Sequence, residues 1–346
     1  MRRFYQQLFL AIAGSALLAG CGGGSNSSTE PVLYVYSARH YDTDTALYDS
    51  FTEKTGIPVQ LVEGKDDELV ARLKAEGVNS PADVFITVDA GRLWRADQDG
   101  LLQPVQSEVL TERIPENLRH PDGDWFGLTK RARILVYNKD KVKPEELSTY
   151  EDLAQPKWKG RVCVRSSSNV YNQSLIGSMI ESRGIEATET WAKGLVANFA
   201  RPPQGGDTDQ IKAVAVGVCD VAIVNHYYVA RMQQSDEPDT QEMASKVAIF
   251  FPNQQDRGTH VNISGAGVTA NAPNREAAVQ FIEHLTSPES QAVFAQGNDE
   301  YPVVADVAPP PELAQYGEFK ADSINVNSYG KNSPEAVKLA DRVGWK

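Results

Sequence analysis

Val32-Leu33-Tyr34-Val35-Tyr36-Ser37-Ala38-Arg39-His40-Tyr41 decides the architecture, because a run of β-branched and apolar residues stops abruptly in a polar loop. Such a run reads as a strand buried on both faces, the kind found in parallel sheets. The next fifty residues fit that reading. A helix is expected over 43–54, with Leu47 and Phe51 four apart and Gly56 and Pro58 marking its end. A strand over 57–62, a helix over 67–76 with Leu69, Val70 and Leu73 on one face, and a strand over 84–88 come next. Strand and helix in alternation are the signature of βαβ units.

A second series begins near Arg133, with strands over 134–137, 161–164 and 221–224. Helices are expected between them over 150–154, 174–183, 187–198 and 208–216. The stretches 249–252 and 263–269 read as strands that cross between two halves. Helices over 275–286 and 288–296 come after them, the first with Ala278, Phe281, Ile282 and Leu285 at helical spacing. Roughly 315 residues from Val32 onward exceed one comfortable core. Two lobes are therefore expected, 32–129 with about 261–300, and about 130–260 with 301–346.

The amino terminus reads differently. Arg2 and Arg3, an apolar stretch over 8–18 and small residues before Cys21 form a secretory leader over 1–20, too short for a membrane span. Leu18-Ala19-Gly20-Cys21 resembles the bacterial lipobox, which implies lipidation of Cys21 and anchoring at a membrane; an ordinary leader with an incidental cysteine is the alternative. The Gly-, Ser- and Asn-rich stretch up to Pro31 reads as a flexible tether. The net charge of −12 becomes more negative once Arg2 and Arg3 leave. An acidic chain without a basic stripe is a poor nucleic-acid binder. Cys163 and Cys219, the other two cysteines, fall in or beside expected strands, so a disulfide is expected in an oxidising compartment, against two buried thiols as the alternative.

Three of the expected strands end in tyrosine-bearing segments: His40-Tyr41, Tyr171, and Asn225-His226-Tyr227-Tyr228. Open α/β sheets bind ligands beyond the carboxyl ends of their strands. Phenols titrate near pH 10, so phenolates at neutral pH need strong positive charge beside them. A trivalent cation supplies it and deprotonates its ligands. Hard cations prefer oxygen, which points to Fe3+; no D-x-D-x-D-G loop suggests calcium. Four phenolates around Fe3+ leave one surplus negative charge, and Arg231, three and four residues past Tyr228 and Tyr227, is placed to balance it. Taken singly, a Tyr-Tyr pair is ordinary packing and a loop histidine an ordinary hydrogen-bonding group.

These stretches, with Phe51-Thr52-Glu53-Lys54-Thr55-Gly56, Ala82-Asp83-Val84-Phe85 and Ser166-Ser167-Ser168-Asn169-Val170-Tyr171-Asn172, resemble the periplasmic ferric-iron-binding proteins of bacterial ABC importers, counterparts of transferrin. The resemblance runs from about Val32 to the C-terminus. It implies an α/β, two-lobed periplasmic-binding-protein fold of type II, each lobe a mostly parallel sheet flanked by helices, the two joined by crossing strands. It implies a monomer that closes over Fe3+ by a hinge, with Tyr41, Tyr171, Tyr227 and Tyr228 as iron ligands. His40 or water would complete the shell. Glu63 is a conceivable carboxylate ligand, and Arg131 and Arg133 anion or charge-balancing groups. An inner-membrane ABC permease would receive the cargo, and no covalent chemistry is expected.

Two other readings compete. A solute-binding protein for a polyamine, thiamine or phosphonate would use the same tyrosines for stacking and hydrogen bonds. A hydrolase would need a nucleophile for His40 or His226, and no G-x-S-x-G, H-E-x-x-H or Walker loop is present.

Overall fold

The computed structural model describes residues 31–39 and 41–346. The leader, Cys21 and His40 therefore lie outside the described residues. From Leu33 the chain runs β1 (Leu33–Ser37), α1 (Asp44–Thr55), β2 (Val59–Glu63), α2 (Asp66–Glu76), β3 (Val84–Val88) and α3 (Ala90–Gln98). Gly56 ends α1 with φ 74°, the left-handed conformation that glycine adopts without a Cβ penalty, and its N–H returns to the Thr52 carbonyl. After α4 (Glu108–Arg113) comes β4 (Phe126–Asn138), thirteen residues long. The middle of the chain supplies β5 (Val162–Cys163), α5 (Val170–Arg183), α6 (Ile185–Ala197), α7 (Asp207–Ala215), β6 (Val221–Asn225), α8 (His226–Gln233), α9 (Pro238–Ser245) and β7 (Val247–Phe250). The remainder is β8 (Val261–Val268), α10 (Arg275–Leu285), α11 (Pro288–Asn298), β9 (Tyr301–Pro302), α12 (Pro311–Ala314) and α13 (Asn327–Val343).

The strands join in the order β2-β1-β3-β8-β4-β6-β5. β2, β1 and β3 are parallel, as the βαβ alternation predicts, while β8 runs antiparallel between β3 and β4. Crossing between the halves belongs to β4. Its first part, Phe126 to Ala132, pairs with β8, and its second, Arg133 to Tyr137, pairs with β6. The stretches expected to cross, at 249–252 and 263–269, return along it: β7 pairs with the second part of β4 and β8 with its first part, so the chain joining them runs beside β4 in the opposite direction. Lys130, Arg131 and Arg133 break the apolar run that would have betrayed a long strand.

Three apolar cores flank this frame. One gathers β1, β3, α1 and α10 with Trp125, Val326 and Tyr329. On the second part of β4, Leu135 and Tyr137 face a core with α5, α6 and the end of α13, while Ala132, Ile134 and Val136 face one with α7 and α8. Both faces of this sheet are thus covered, the burial that reads as a continuous apolar run. The disulfide between Cys163 and Cys219, with Cα atoms 5.8 Å apart, lies in the third core.

Helix α13 has no counterpart among the expected elements. It fits against both α5 and α3 at two glycines. A Cβ on Gly177 would stand 2.9 Å from the Tyr329 carbonyl oxygen, and one on Gly330 would stand 2.3 Å from the Trp94 Cβ.

Candidate metal centre

Each tyrosine is placed by the element that precedes or carries it. Past β1 the chain turns through Arg39, whose guanidinium is held by Asp44 (Nε to Oδ2, 2.8 Å) and by Glu300 (Nη1 to Oε2, 3.0 Å). Tyr41 comes two residues later, and its ring lies between two cations: Arg39 Cζ is 4.7 Å and Arg231 Cζ 5.0 Å from the centroid. Tyr171 sits in the first turn of α5, where the Asn169 side chain caps the helix by accepting from the Tyr171 N–H at 3.0 Å. The guanidinium carbons of Arg165, Arg131 and Arg133 stand 5.4, 5.6 and 5.8 Å from the Tyr171 ring.

β6 passes directly into α8, so Tyr227 and Tyr228 occupy that helix's first turn. Their ring centroids are 4.3 Å apart. The Tyr227 hydroxyl lies 3.4 Å from that of Tyr171 and 3.4 Å from Asn225 Nδ2. One turn further on, Arg231 places Cζ 4.8 Å from the Tyr227 ring, so the same guanidinium faces Tyr41 and Tyr227. Phenols from three distant segments thus share one neighbourhood. Glu63 is exposed at the end of β2, paired in register with Ser37.

Beneath the phenols lie two buried ionic knots. In one, Glu300 accepts from Arg39 and from the Thr129 hydroxyl and stands 3.9 Å from Arg131 Nε. In the other, Asp207 takes Arg133 (2.7 Å), Arg165 (3.1 Å) and the Asn225 N–H (2.8 Å). Arg133 also donates to Asn172 Oδ1 at 2.8 Å. Sequence reasoning singles out Arg131 and Arg133 but misses Arg39, Asp44, Asp207 and Glu300. Arg39 is visible as the neighbour of His40-Tyr41; the three acids sit in stretches with no motif.

Burial raises three of these phenols, Tyr41, Tyr227 and Tyr228. Burial pushes Tyr227 well above the usual phenol range, and neighbouring Tyr171 and Tyr228 add to it. Burial, then Tyr171, pushes Tyr228 up to about 12. Tyr41 is raised by burial and by Glu300, against the pull of Arg39, Arg231 and Arg131. Burial works against the Arg231 charge, but the phenols of Tyr41 and Tyr227 hold its guanidinium above the ordinary range. Burial likewise opposes the Glu300 charge, and Arg39 with Arg131 brings its carboxyl below the usual range.

His226 is no base. Its Nδ1 accepts from the Ala132 N–H at 3.2 Å, and its ring packs 4.6 Å from Tyr301. Burial pulls its pKa down to about 4, so it stays neutral at pH 7 and serves as a prop beneath Tyr227.

Residues 46–321 match the family described as bacterial extracellular solute-binding protein. The chain is 54% identical to iron uptake protein A1 of Synechocystis sp. over 98% of its length and 96% of that protein's. It is 31% identical to the Fe(3+)-binding periplasmic protein of Serratia marcescens, over 97% of the chain and 96% of that relative. Among solved structures, Trichodesmium FutA (IdiA) in complex with iron and citrate ligands superposes with a TM-score of 0.90 at 61% identity, covering 91% of this chain and 100% of that one.

Proposed function

The chain belongs to the bacterial extracellular solute-binding proteins, and from that premise we propose that it is the ferric-iron-binding component of an ABC importer. Fe3+ is cargo, held between the lobes and handed to an inner-membrane permease without covalent chemistry. The observation that carries this reading is the gathering of Tyr41, Tyr171, Tyr227 and Tyr228 under arginines. The phenols of Tyr41, Tyr227 and Tyr228, raised by burial, call for a strong Lewis acid to take their protons' place, and a hard trivalent ion fits that requirement. Arg231, and the surplus of Arg133 and Arg165 over Asp207, offset the charge that a fourth phenolate adds. His40 or water completes the shell.

The lobes in this reading comprise 32–129 with about 261–300, and about 130–260 with 301–346, with β4 crossing between them as part of the hinge. Cys21 carries the lipid that tethers the monomer on the periplasmic side of a membrane, the remainder of 21–31 serving as linker.

Titration with ferric citrate, followed by visible absorption, tests the site. A phenolate-to-iron charge-transfer band is expected to grow to one equivalent. The double variant Tyr227→Phe/Tyr228→Phe is expected to lose the band and the binding while keeping its circular dichroism. A flat spectrum from the unaltered protein would defeat the ferric assignment and favour an organic or phosphonate solute.

A further inference from the structure

From a cluster that shares no residue with the tyrosines, we propose that Asp97, His120 and Asp124 form a second metal site, one that takes a divalent first-row transition ion of the zinc class. A candidate donor atom from each of the three lies within 4.8 Å of the others. Asp97 comes from the last turn of α3, and the other two from the short loop that precedes β4. That loop is closed by the His120 N–H donating to the Trp125 carbonyl at 2.9 Å and the Gly123 N–H to the His120 carbonyl at 3.2 Å. The Trp125 ring packs edge-on against the imidazole, 5.6 Å between centroids, and holds its plane.

The imidazole is the informative member. Its side chain is nine-tenths buried; Nδ1 accepts from the Asp122 N–H at 3.2 Å, and Asp124 Oδ2 stands 2.9 Å from the same nitrogen. Nε2 has no hydrogen-bond partner among the described residues. It is directed toward Asp97, whose Oδ2 stands 3.7 Å away, too far for a hydrogen bond. Two ligands of a tetrahedral zinc ion, each about 2.0–2.2 Å from the metal, stand about 3.4 Å apart. The gap at Nε2 is thus close to the edge of a coordination polyhedron.

Charge points the same way. Among the described residues His120 is the sole ion-pair partner of Asp97 and Asp124. Gln98 Nε2, donating to Asp97 Oδ2 at 3.0 Å, brings no charge. Two carboxylates converge on one imidazole, a donor set whose charge a divalent cation matches. An imidazole ligand favours transition ions over calcium and magnesium. The side chains of Asp97 and Asp124 keep 15% and 13% of their surface, enough for an ion and its water to enter.

Zinc chloride titrated calorimetrically into protein already saturated with Fe3+ tests this, since the tyrosine centre is then filled. One equivalent of Zn2+ is expected to bind, with affinity reduced at least about tenfold in His120→Ala and in Asp97→Asn. Should His120→Ala lose its fold by circular dichroism, the near-isosteric Asp97→Asn decides alone. Absence of zinc binding to the unaltered protein, or equal affinity in Asp97→Asn, would overturn the site. Tyr227→Phe/Tyr228→Phe is expected to keep the zinc equivalent, which separates this inference from the ferric reading.

Discussion

The two ionic knots beneath the tyrosines solve one problem with different means. The Asp207 knot is built from one stretch of chain: Arg133, Arg165, Asn172, Asp207 and Asn225 all lie between the start of β4's second part and the end of β6. It has one carboxylate for two guanidiniums. The Glu300 knot spans the chain from Arg39 to Glu300, and Asp44 supplies a second carboxylate to Arg39. A lone carboxylate makes the first knot brittle, whereas the second has a spare.

Removing each carboxylate in turn separates the two. Asp207→Asn leaves the buried Arg133 guanidinium with only the neutral amides of Asn172 and Asn225 to receive it. Breaking a buried pair from one side costs about 3–5 kcal/mol, and that loss is expected in urea unfolding. Glu300→Gln is expected to cost less, about 1–3 kcal/mol, because Asp44 still holds Arg39, the glutamine carbonyl still accepts from Thr129, and Arg131, only 3.9 Å from Glu300, keeps the Ile263 carbonyl. Equal losses in the two variants would mean that Asp44 does not act as the spare.

Acid should expose the same contrast through the histidines beside these knots. Burial holds His226 down to about 4; His260 is brought down to about 3 by burial and by Arg133. A buried histidine whose folded pKa is depressed contributes stability above its unfolded pKa of about 6.5, and loses it as pH falls toward the folded value. Glu300, with its folded pKa also lowered, loses its contribution only below the ordinary glutamate range. Stability is therefore expected to fall by a few kcal/mol between about pH 6.5 and 4. His226→Gln should flatten that part of the curve. An unchanged pH profile in this variant would remove His226 from the account.

This contrast also explains what is legible in one dimension. The β1-α1-β2-α2-β3 series follows from local pattern, because each strand is apolar and each helix shows its spacing and its stop. The tyrosines are legible as strand-end residues, and Arg231 as a helical neighbour of Tyr227. β4 is only half legible, since Lys130, Arg131 and Arg133 interrupt it and nothing nearby in sequence announces Asp207 or Glu300. Arginines neutralised by carboxylates some seventy to two hundred residues away look, in the sequence, like surface. Helix α13 is hidden for a related reason: Pro334 lies inside it, and its reason for being helical is the surface of α5 and α3.

That surface yields a smaller effect than the Asp207 knot and a sharp one. Gly177 on α5 and Gly330 on α13 are where α13 fits closely between helices that belong to different cores. A methyl at Gly177 meets a backbone carbonyl at 2.9 Å, which cannot rotate away as a side chain would. Gly177→Ala should therefore push α13 outward and cost about 1–3 kcal/mol, less than the loss in Asp207→Asn. Alanine at an open helical site would instead stabilise by up to about 1 kcal/mol. The sign of the change in melting temperature thus reports whether the contact is tight. If it is, Tyr171, six residues before Gly177 on the same helix, should feel the shift as a weakened ferric charge-transfer band, whereas Tyr41, carried by the loop after β1, should not move.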